Sequence, residues 1–341
     1  MDLKEKVFGF PGKAKSFLRE KHEKNPYFAK KATGKLAHFA WAIFRTLLLI
    51  GLSFIIVYPV IYMISMGFRV PEEVMDPSVV WIPRTLTLKN FKTTIDLMKY
   101  WDALKQTVLF SILSSLLAVA SCAITGYGFA RFKFKGKKIL FVLVLLMVII
   151  PSQTTIIPQF IQFRYFDFFG IGKIVQLFTG KLWSTNILDT GWSLYLPAIF
   201  ANGIRSGIMI YIFRQFFRGL PKELEDAAYI DGCGPIRTFI QIMIPLSSAA
   251  FITVFLFSFV WYWNDYYVSG MFFSNIGTVS VRLSGLRSLL SMSQASVSFD
   301  PYSIITYMQA GCLLTIAPPL IVYIIFQRFF TQSIEKTGIV G

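Results

Sequence analysis

Glu223, Glu225, Asp226 and Asp231 fall within nine residues of a chain that has only 18 Asp and Glu in 341. They share that stretch with Leu224, Ala227, Ala228 and Gly232, inside a 32-residue segment, 214–245, reading RQFFRGLPKELEDAAYIDGCGPIRTFIQIMIP. Pro221 suits a first helical position, the acids favour the positive end of a helix dipole, and Gly232 supplies the left-handed residue that ends a helix. A short helix is therefore predicted over 222–231. Leu224, Ala227 and Ala228 lie at i, i+3 and i+4, a narrow apolar face of small side chains, while Glu223 and Glu225 point elsewhere. A second helix is predicted from Pro235 into the apolar run that follows, with Phe239, Ile242 and Met243 on its apolar side. The chemistry is docking rather than bond making. A helix that lies on lipid carries Lys or Arg beside large apolar groups, whereas this one is acidic with alanines, which favours a protein cleft over the lipid surface.

Other chemistries have few residues to work with. His22 and His38 both belong to the basic leader, and Cys122, Cys233 and Cys312 have neither zinc-site spacing nor an obvious disulfide arrangement, so no metal site is expected. No Ser or Cys in an apolar run has a base beside it, so no enzyme is expected. The Gly-Lys pairs at 12–13, 34–35 and 180–181 lack both the glycine five residues earlier and the following Ser or Thr of a phosphate-binding loop. This chain is expected to bind no cofactor, and any ATP would sit in a partner.

These residues must be carried by apolar elements. The chain is 55% hydrophobic, 17% aromatic and 15% charged, against roughly 25% charged in soluble domains. Its charge is concentrated between six apolar windows, at 46–66, 107–129, 139–158, 194–213, 246–263 and 303–326. Each is near the ~20 residues that cross ~30 Å of hydrocarbon. An all-α polytopic membrane bundle of six transmembrane helices follows. A soluble globular domain, intrinsic disorder, a disulfide scaffold and a nucleic-acid binder are excluded, because a net charge of +16 set around apolar spans is what anionic membrane lipid attracts. Ten Lys and Arg against four acids precede Arg45, and five cations with no acid fill 131–138. Positive charge stays inside, so the topology is N-in and C-in. No cleavable signal peptide is evident, and the first span is expected to remain.

The partition expected is a basic cytoplasmic extension over 1–44, a first helix with its external loop over 45–105, a core of five helices over 106–330 that includes the 214–245 loop, and a cytoplasmic tail over 331–341. In the leader, Phe8, Phe10, Phe17 and Phe28 belong either to a tail with mild lipid affinity or to a segment lying on the inner leaflet. Pro59, Pro151, Pro158, Pro197 and the pair Pro318 and Pro319 stand in or at the ends of spans, where neighbouring helices or a cavity must satisfy the freed carbonyls. Gly203 and Gly207 have close-packing spacing.

Arg205 is the one charged residue in any span. Ion-coupled carriers need intramembrane carboxylates or histidines, so coupling to protons or sodium within this chain is disfavoured. Arg205 either lines a wet cavity or snorkels to the headgroups. Trp261, Trp263, Asn264, Tyr266 and Tyr267 cluster where the fifth span ends and suit either sugar stacking or an interfacial aromatic belt. Gln309 and Ser121 either line a polar cavity or bridge helices.

Residues 225–232, Glu-Asp-Ala-Ala-Tyr-Ile-Asp-Gly, followed by Ile242, Pro245 and the fifth span, resemble the "EAA" loop of permease subunits of binding-protein-dependent ABC importers. Arg131 to Gly136, Pro151 and Pro158, Arg214 to Phe217, Trp263-Asn264-Asp265 and Phe326 to Phe330 resemble the branch that handles sugars and oligosaccharides, the maltose-type permeases. The resemblance spans about 45–341. The sequence departs from the pattern in Asp226 for the usual Glu, Cys233 for the usual Ala, and a long external segment over 173–189. It implies a type I ABC importer permease fold in a bacterial plasma membrane, with a second homologous permease, two ATPase subunits holding ATP and magnesium, and an extracellular solute-binding protein. In that reading Glu223, Leu224, Glu225, Asp226, Ala227, Ala228, Asp231 and Gly232 couple to the ATPase, and Arg205, Trp261, Trp263, Asn264 and Gln309 are candidates for the substrate path. The loops 67–105 and 264–302 would form an external vestibule. The function implied is ATP-driven oligosaccharide import by alternating access. The alternatives are a polyol or phosphodiester as solute, or a membrane scaffold whose loop docks a regulator.

Overall fold

The computed structural model describes residues 26–181, 183–294 and 301–338. The leader positions His22, Phe8, Phe10 and Phe17, the Gly-Lys pair at 12–13, and 339–341 of the tail lie outside them. The described residues form helices with two isolated bridges and no strand. Contacts divide the chain between Tyr62 and Met63. The first unit is described from the start of α1, Pro26–Gly67, which runs through Pro59 without a break. Residues from Leu47 to Val57 on it are exposed.

The second unit is organised on α3, Tyr100–Arg131. Its 32 residues span about 48 Å at 1.5 Å per residue, longer than the hydrocarbon. Alongside Tyr100, Phe110, Tyr127 and Phe129, small residues, Ser111, Ser114, Ser115, Ala118, Ala123 and Gly126, make up much of its buried face. They admit neighbouring backbones closely: a Cβ on Gly126 would fall 2.6 Å from Phe213 Cβ. Around α3 pack α7 (Trp192–Ile199), α8 (Ser206–Gly219), α11 (Ser248–Asn264) and α13 (Val279–Gln294). α14, Pro301–Gly338, packs on α11 and α13 and carries Pro318 and Pro319 inside one continuous helix.

Among the described residues, three helical stretches are long and apolar enough to cross a membrane, His38–Gly67, Tyr100–Arg131 and Tyr302–Gln327, or five if each of two bent pairs counts as one span. The third predicted span is such a pair: α4 (Lys137–Ile149) and α5 (Ser152–Arg164) meet at 100°. The cause is Pro151, which has no N–H and forces Ile150 into the extended region, at φ −69° and ψ 118°. The fourth span, expected to be continuous over 194–213, is broken. α7 ends at Ile199 and α8 begins at Ser206, and Ala201 and Arg205 between them both take φ 54°. The helix expected to run from Pro235 straight into the fifth span also turns: α10, Pro235–Leu246, has a π-helical turn at Phe239–Met243 and meets α11 at 80°.

Both long stretches expected as external loops contain folded structure. α2, Lys89–Met98, is fixed by Asn90, whose Nδ2 donates to the carbonyls of Gly67 at 2.9 Å and Arg69 at 2.8 Å. Arg69 is buried and donates to Val79 O at 3.0 Å and Ser65 Oγ at 2.9 Å. Thr94 Oγ1 donates to Tyr307 O at 3.2 Å, which ties α2 to α14. The other stretch holds α12, Tyr267–Phe272, and α13, whose first N–H, on Val279, donates to Thr107 Oγ1 on α3 at 2.8 Å. In the long 173–189 segment lies α6, Ile171–Thr179, bounded by Gly170 and Gly180, both left-handed.

Candidate functional site

The structure places most of the predicted site residues at two separate positions in the second unit. At one lies α9, Glu223–Ile230, close to the predicted helix. It ends at Gly232, φ 79°, whose N–H donates to Tyr229 O at 3.1 Å while Cys233 N–H donates to Ala228 O at 2.9 Å. Nothing lies within 4 Å of a Cβ built on Gly232, so the requirement for glycine there is backbone conformation alone.

Leu224, Ala227, Glu223, Asp226 and Asp231 are exposed, together with Tyr229 and Ile230, the latter at 86%. Two residues assigned to the outward role turn inward. Ala228 is 3% exposed, so it packs α9 against its own chain and is no part of a free face. Glu225 is 7% exposed: it accepts Tyr127 OH at 2.8 Å and pairs with Arg131 Nε at 3.4 Å. Arg131 Nη2 also donates to Leu220 O at 2.8 Å, so the carboxylate and the guanidinium are both engaged. The buried Arg131 Nε makes no hydrogen bond of its own, so the pair is held by the ion contact, the Tyr127 hydroxyl and the Leu220 carbonyl. Beyond the turn, Pro235, Ile236, Arg237 and Ile240 border an open groove of about 480 Å³.

The second place is a cleft of about 690 Å³ between the α4–α5 bend, the break after α7 and the end of α11. Arg205, Trp261 and Asn264 line it, along with Gln153, Gln159 and Asn202. Arg205 is exposed there, with its guanidinium carbon 5.1 Å from the Trp261 ring centre. The break is held by Tyr262, whose hydroxyl accepts Ile204 N–H at 3.3 Å and which crowds Gly203 too closely for any Cβ. Gly207 makes a second close approach, with a Cβ built there 2.9 Å from Val144 O on α4. Non-helical backbone at membrane depth needs a cavity or protein around it, and here it has the cleft. Arg205 lines this cleft.

Trp263 and Gln309 do not join this group. Trp263 is 1% exposed, with Nε1 donating to Thr315 O at 3.0 Å, which makes it a core residue between α11 and α14. Gln309 is half-buried on α14 and outside the cleft lining. Ser121 bridges helices, its Oγ donating to Ala198 O at 2.6 Å. Gln153, Gln159 and Asn202 escaped the sequence reading, although Gln153 and Asn202 are uncharged polar residues inside predicted apolar spans. Asp265 also lines the cleft, but its carboxylate caps α12 by accepting Val268 N–H at 3.2 Å and Ser269 N–H at 2.7 Å.

A helix bundle with a broken span, a cleft lined by Arg205 and Trp261, and a protruding acidic helix agrees with the ABC importer permease that the sequence resembles. The chain belongs to the family of binding-protein-dependent transport system inner membrane components, whose model matches residues 123–336. It is therefore a bacterial inner-membrane protein, and the scaffold alternative falls away. It is 31% identical over 294 residues to the arabinooligosaccharides transport system permease protein AraQ of Halalkalibacterium halodurans, covering 85% of this chain and 93% of that protein. It is 24% identical to the probable starch degradation products transport system permease protein AmyC of Thermoanaerobacterium thermosulfurigenes, covering 85% and 93%. A crystal structure of a bacterial ABC transporter involved in importing the acidic polysaccharide alginate has a chain of the same fold, with TM-score 0.65 and 17% identity over 86% of this chain and 98% of that one.

Proposed function

We propose that this chain is one of two homologous permeases of an ATP-driven oligosaccharide importer, with six spans and both termini inside. The observation that carries the reading is the broken fourth span, which puts Arg205, Asn202 and the Trp261 face into one cleft. Aromatic faces stack on sugar CH surfaces, and amides and a guanidinium fix hydroxyls. The sugar transport named for AraQ and AmyC supports the same class of solute. The outer face of α9, with Leu224, Ala227 and Ile230 beside Glu223, Asp226 and Asp231, seats in a basic-rimmed cleft of an ATPase subunit, which holds ATP and magnesium. The stretches 67–105 and 264–302 take an extracellular solute-binding protein, and alternating access is a rigid-body rearrangement about the cleft.

The experiment is ATP-dependent uptake into proteoliposomes holding both permeases, the ATPase pair and the solute-binding protein, assayed with arabinotriose, maltotriose and glycerophosphodiesters. Uptake of an oligosaccharide is expected. Uptake of the phosphodiester alone would favour the second reading, for which the cationic Arg205 in the cleft speaks. On the same complex, Ile230→Arg is expected to release the ATPase subunits, and their retention would refute the docking face.

A further inference from the structure

The coupling helix α9 is attached to the rest of the unit in three ways. The chain joins it to α8 through residues 220–222, and through Gly232 to α10, which contains a π-helical turn and meets α11 at 80°. The third attachment is lateral: Glu225 accepts Tyr127 OH at 2.8 Å and pairs with Arg131 at 3.4 Å, both on α3. Arg131 also holds Leu220 O at 2.8 Å, just before α9 begins, so both ends of the approach to α9 are fixed to the same side chain. α3 has no proline and no break over its 32 residues.

Farther along α3, two consecutive residues reach the two edges of the broken span. Ser121 Oγ donates to Ala198 O at 2.6 Å, and Cys122 Sγ lies 3.8 Å from Ser206 O as a weak donor. Tyr127 and Ser121 are six residues apart, about 9 Å along a helix. Gly126 stands between them, where a Cβ would meet Phe213 Cβ at 2.6 Å, so α8 cannot slide freely past α3. One straight helix thus grips the coupling helix at one point and both sides of the Arg205 break at another.

We infer that α3 is the element that transmits α9 movement to the cleft, with Glu225, Tyr127, Arg131 and Ser121 as positioning residues. The inference rests on the reading that α9 seats in an ATPase subunit. Pulling on α9 moves α3 through the buried ion pair, and α3 moves the backbone carbonyls that flank Arg205.

The test uses the transporter assembled with its second permease and ATPase subunits, with Cys233→Ser and Asn202→Cys introduced. Labelling of position 202 by N-ethylmaleimide is followed with and without ATP plus vanadate, which trap the closed ATPase dimer, and a complex lacking Asn202→Cys supplies the background. Tyr127→Phe and Ser121→Ala should each keep the ATPase subunits bound while shrinking the nucleotide-dependent change in labelling rate about 2- to 30-fold, the range of coupling energies met along such networks. Because both act on one path, the double variant should be no worse than the stronger single one. An unchanged labelling response in both single variants overturns the inference, and so do losses that multiply in the double variant. If Tyr127→Phe sheds the ATPase subunits, the latch serves docking only, and the inference fails too. Failure of the underlying reading looks different: Ile230→Arg would keep its ATPases, or the parent complex would show no nucleotide response.

Discussion

Two arginines mark the two ends of the working unit, and their surroundings are opposite. The Arg131 side chain is 6% exposed, paired with a carboxylate that is 9% exposed, and bonded to a carbonyl. Arg205 is exposed in its cleft, has no acidic partner among the described residues, and faces only the Trp261 ring. The first is held within the chain by its carboxylate and one carbonyl, with its buried Nε making no hydrogen bond, and acts as a fastener. The second keeps its donors for whatever enters the cleft. A charge in a membrane protein is thus available for function when its surroundings leave it unsatisfied, and residue type alone does not separate the cases.

The largest effect that would test this contrast is at the fastener. Arg131→Leu leaves Glu225 buried and uncompensated, and breaking a buried pair from one side costs about 3–5 kcal/mol. A thermal-shift measurement in detergent should show the lowest midpoint of all the variants here. A midpoint equal to the parent's would mean that the pair carries no stability.

Next comes the turn that leads away from the fastener. Gly232→Val needs a β-branched residue at φ 79°, in open space. The backbone term alone is about 1–2 kcal/mol, and α9 should lose its register with α10. Insertion should be normal and ATPase co-purification reduced. Asp226→Glu keeps the charge on an exposed position and should be silent in the same assay.

Within the aromatic cluster, Trp263→Phe removes the 3.0 Å bond to Thr315 O, a loss of about 1 kcal/mol. It should lower the midpoint modestly and leave the substrate concentration for half-maximal uptake unchanged. A shift in that concentration would bring Trp263 back into the path. Trp261→Phe should do the reverse, because Trp261 lines the cleft.

Helix type, the place of the α9 turn and the apolar windows were legible because propensity, charge placement and Gly232 all act locally. Pro151 announced a disturbance, and its 100° size depended on packing that a one-dimensional reading does not contain. The break at 200–205 had no local signal of comparable strength, since Ala201 and Arg205 take left-handed conformations that tertiary contacts such as Tyr262 with Ile204 impose. Glu225 and Ala228 were read outward because helical spacing shows which residues share a face, not which face meets the bundle. Trp261 and Trp263 are two residues apart, about 200° around a helix, so only one of them can face the cleft. The choice between them was made by Thr315, which is 52 positions away.

The smallest stability effect belongs to the free arginine. Arg205→Leu removes no ion pair among the described residues, and only a cation–π contact at 5.1 Å is lost. Such a contact at an exposed site is worth about 0.5–1 kcal/mol, part of which Leu recovers against the Trp261 ring. The left-handed φ of 54° is already borne by a residue with a side chain, but Arg205→Val would add β-branched strain there and confuse the result. Arg205→Leu should therefore keep the thermal midpoint and the ATPase subunits while uptake falls, because the cleft loses its one cationic donor. Arg205→Lys keeps the charge and loses the planar fork, so it should retain part of the uptake if charge is what the solute meets, and little if bidentate hydroxyl contacts matter. Wild-type uptake by Arg205→Leu would show that the exposed arginine is idle and would remove the contrast with Arg131.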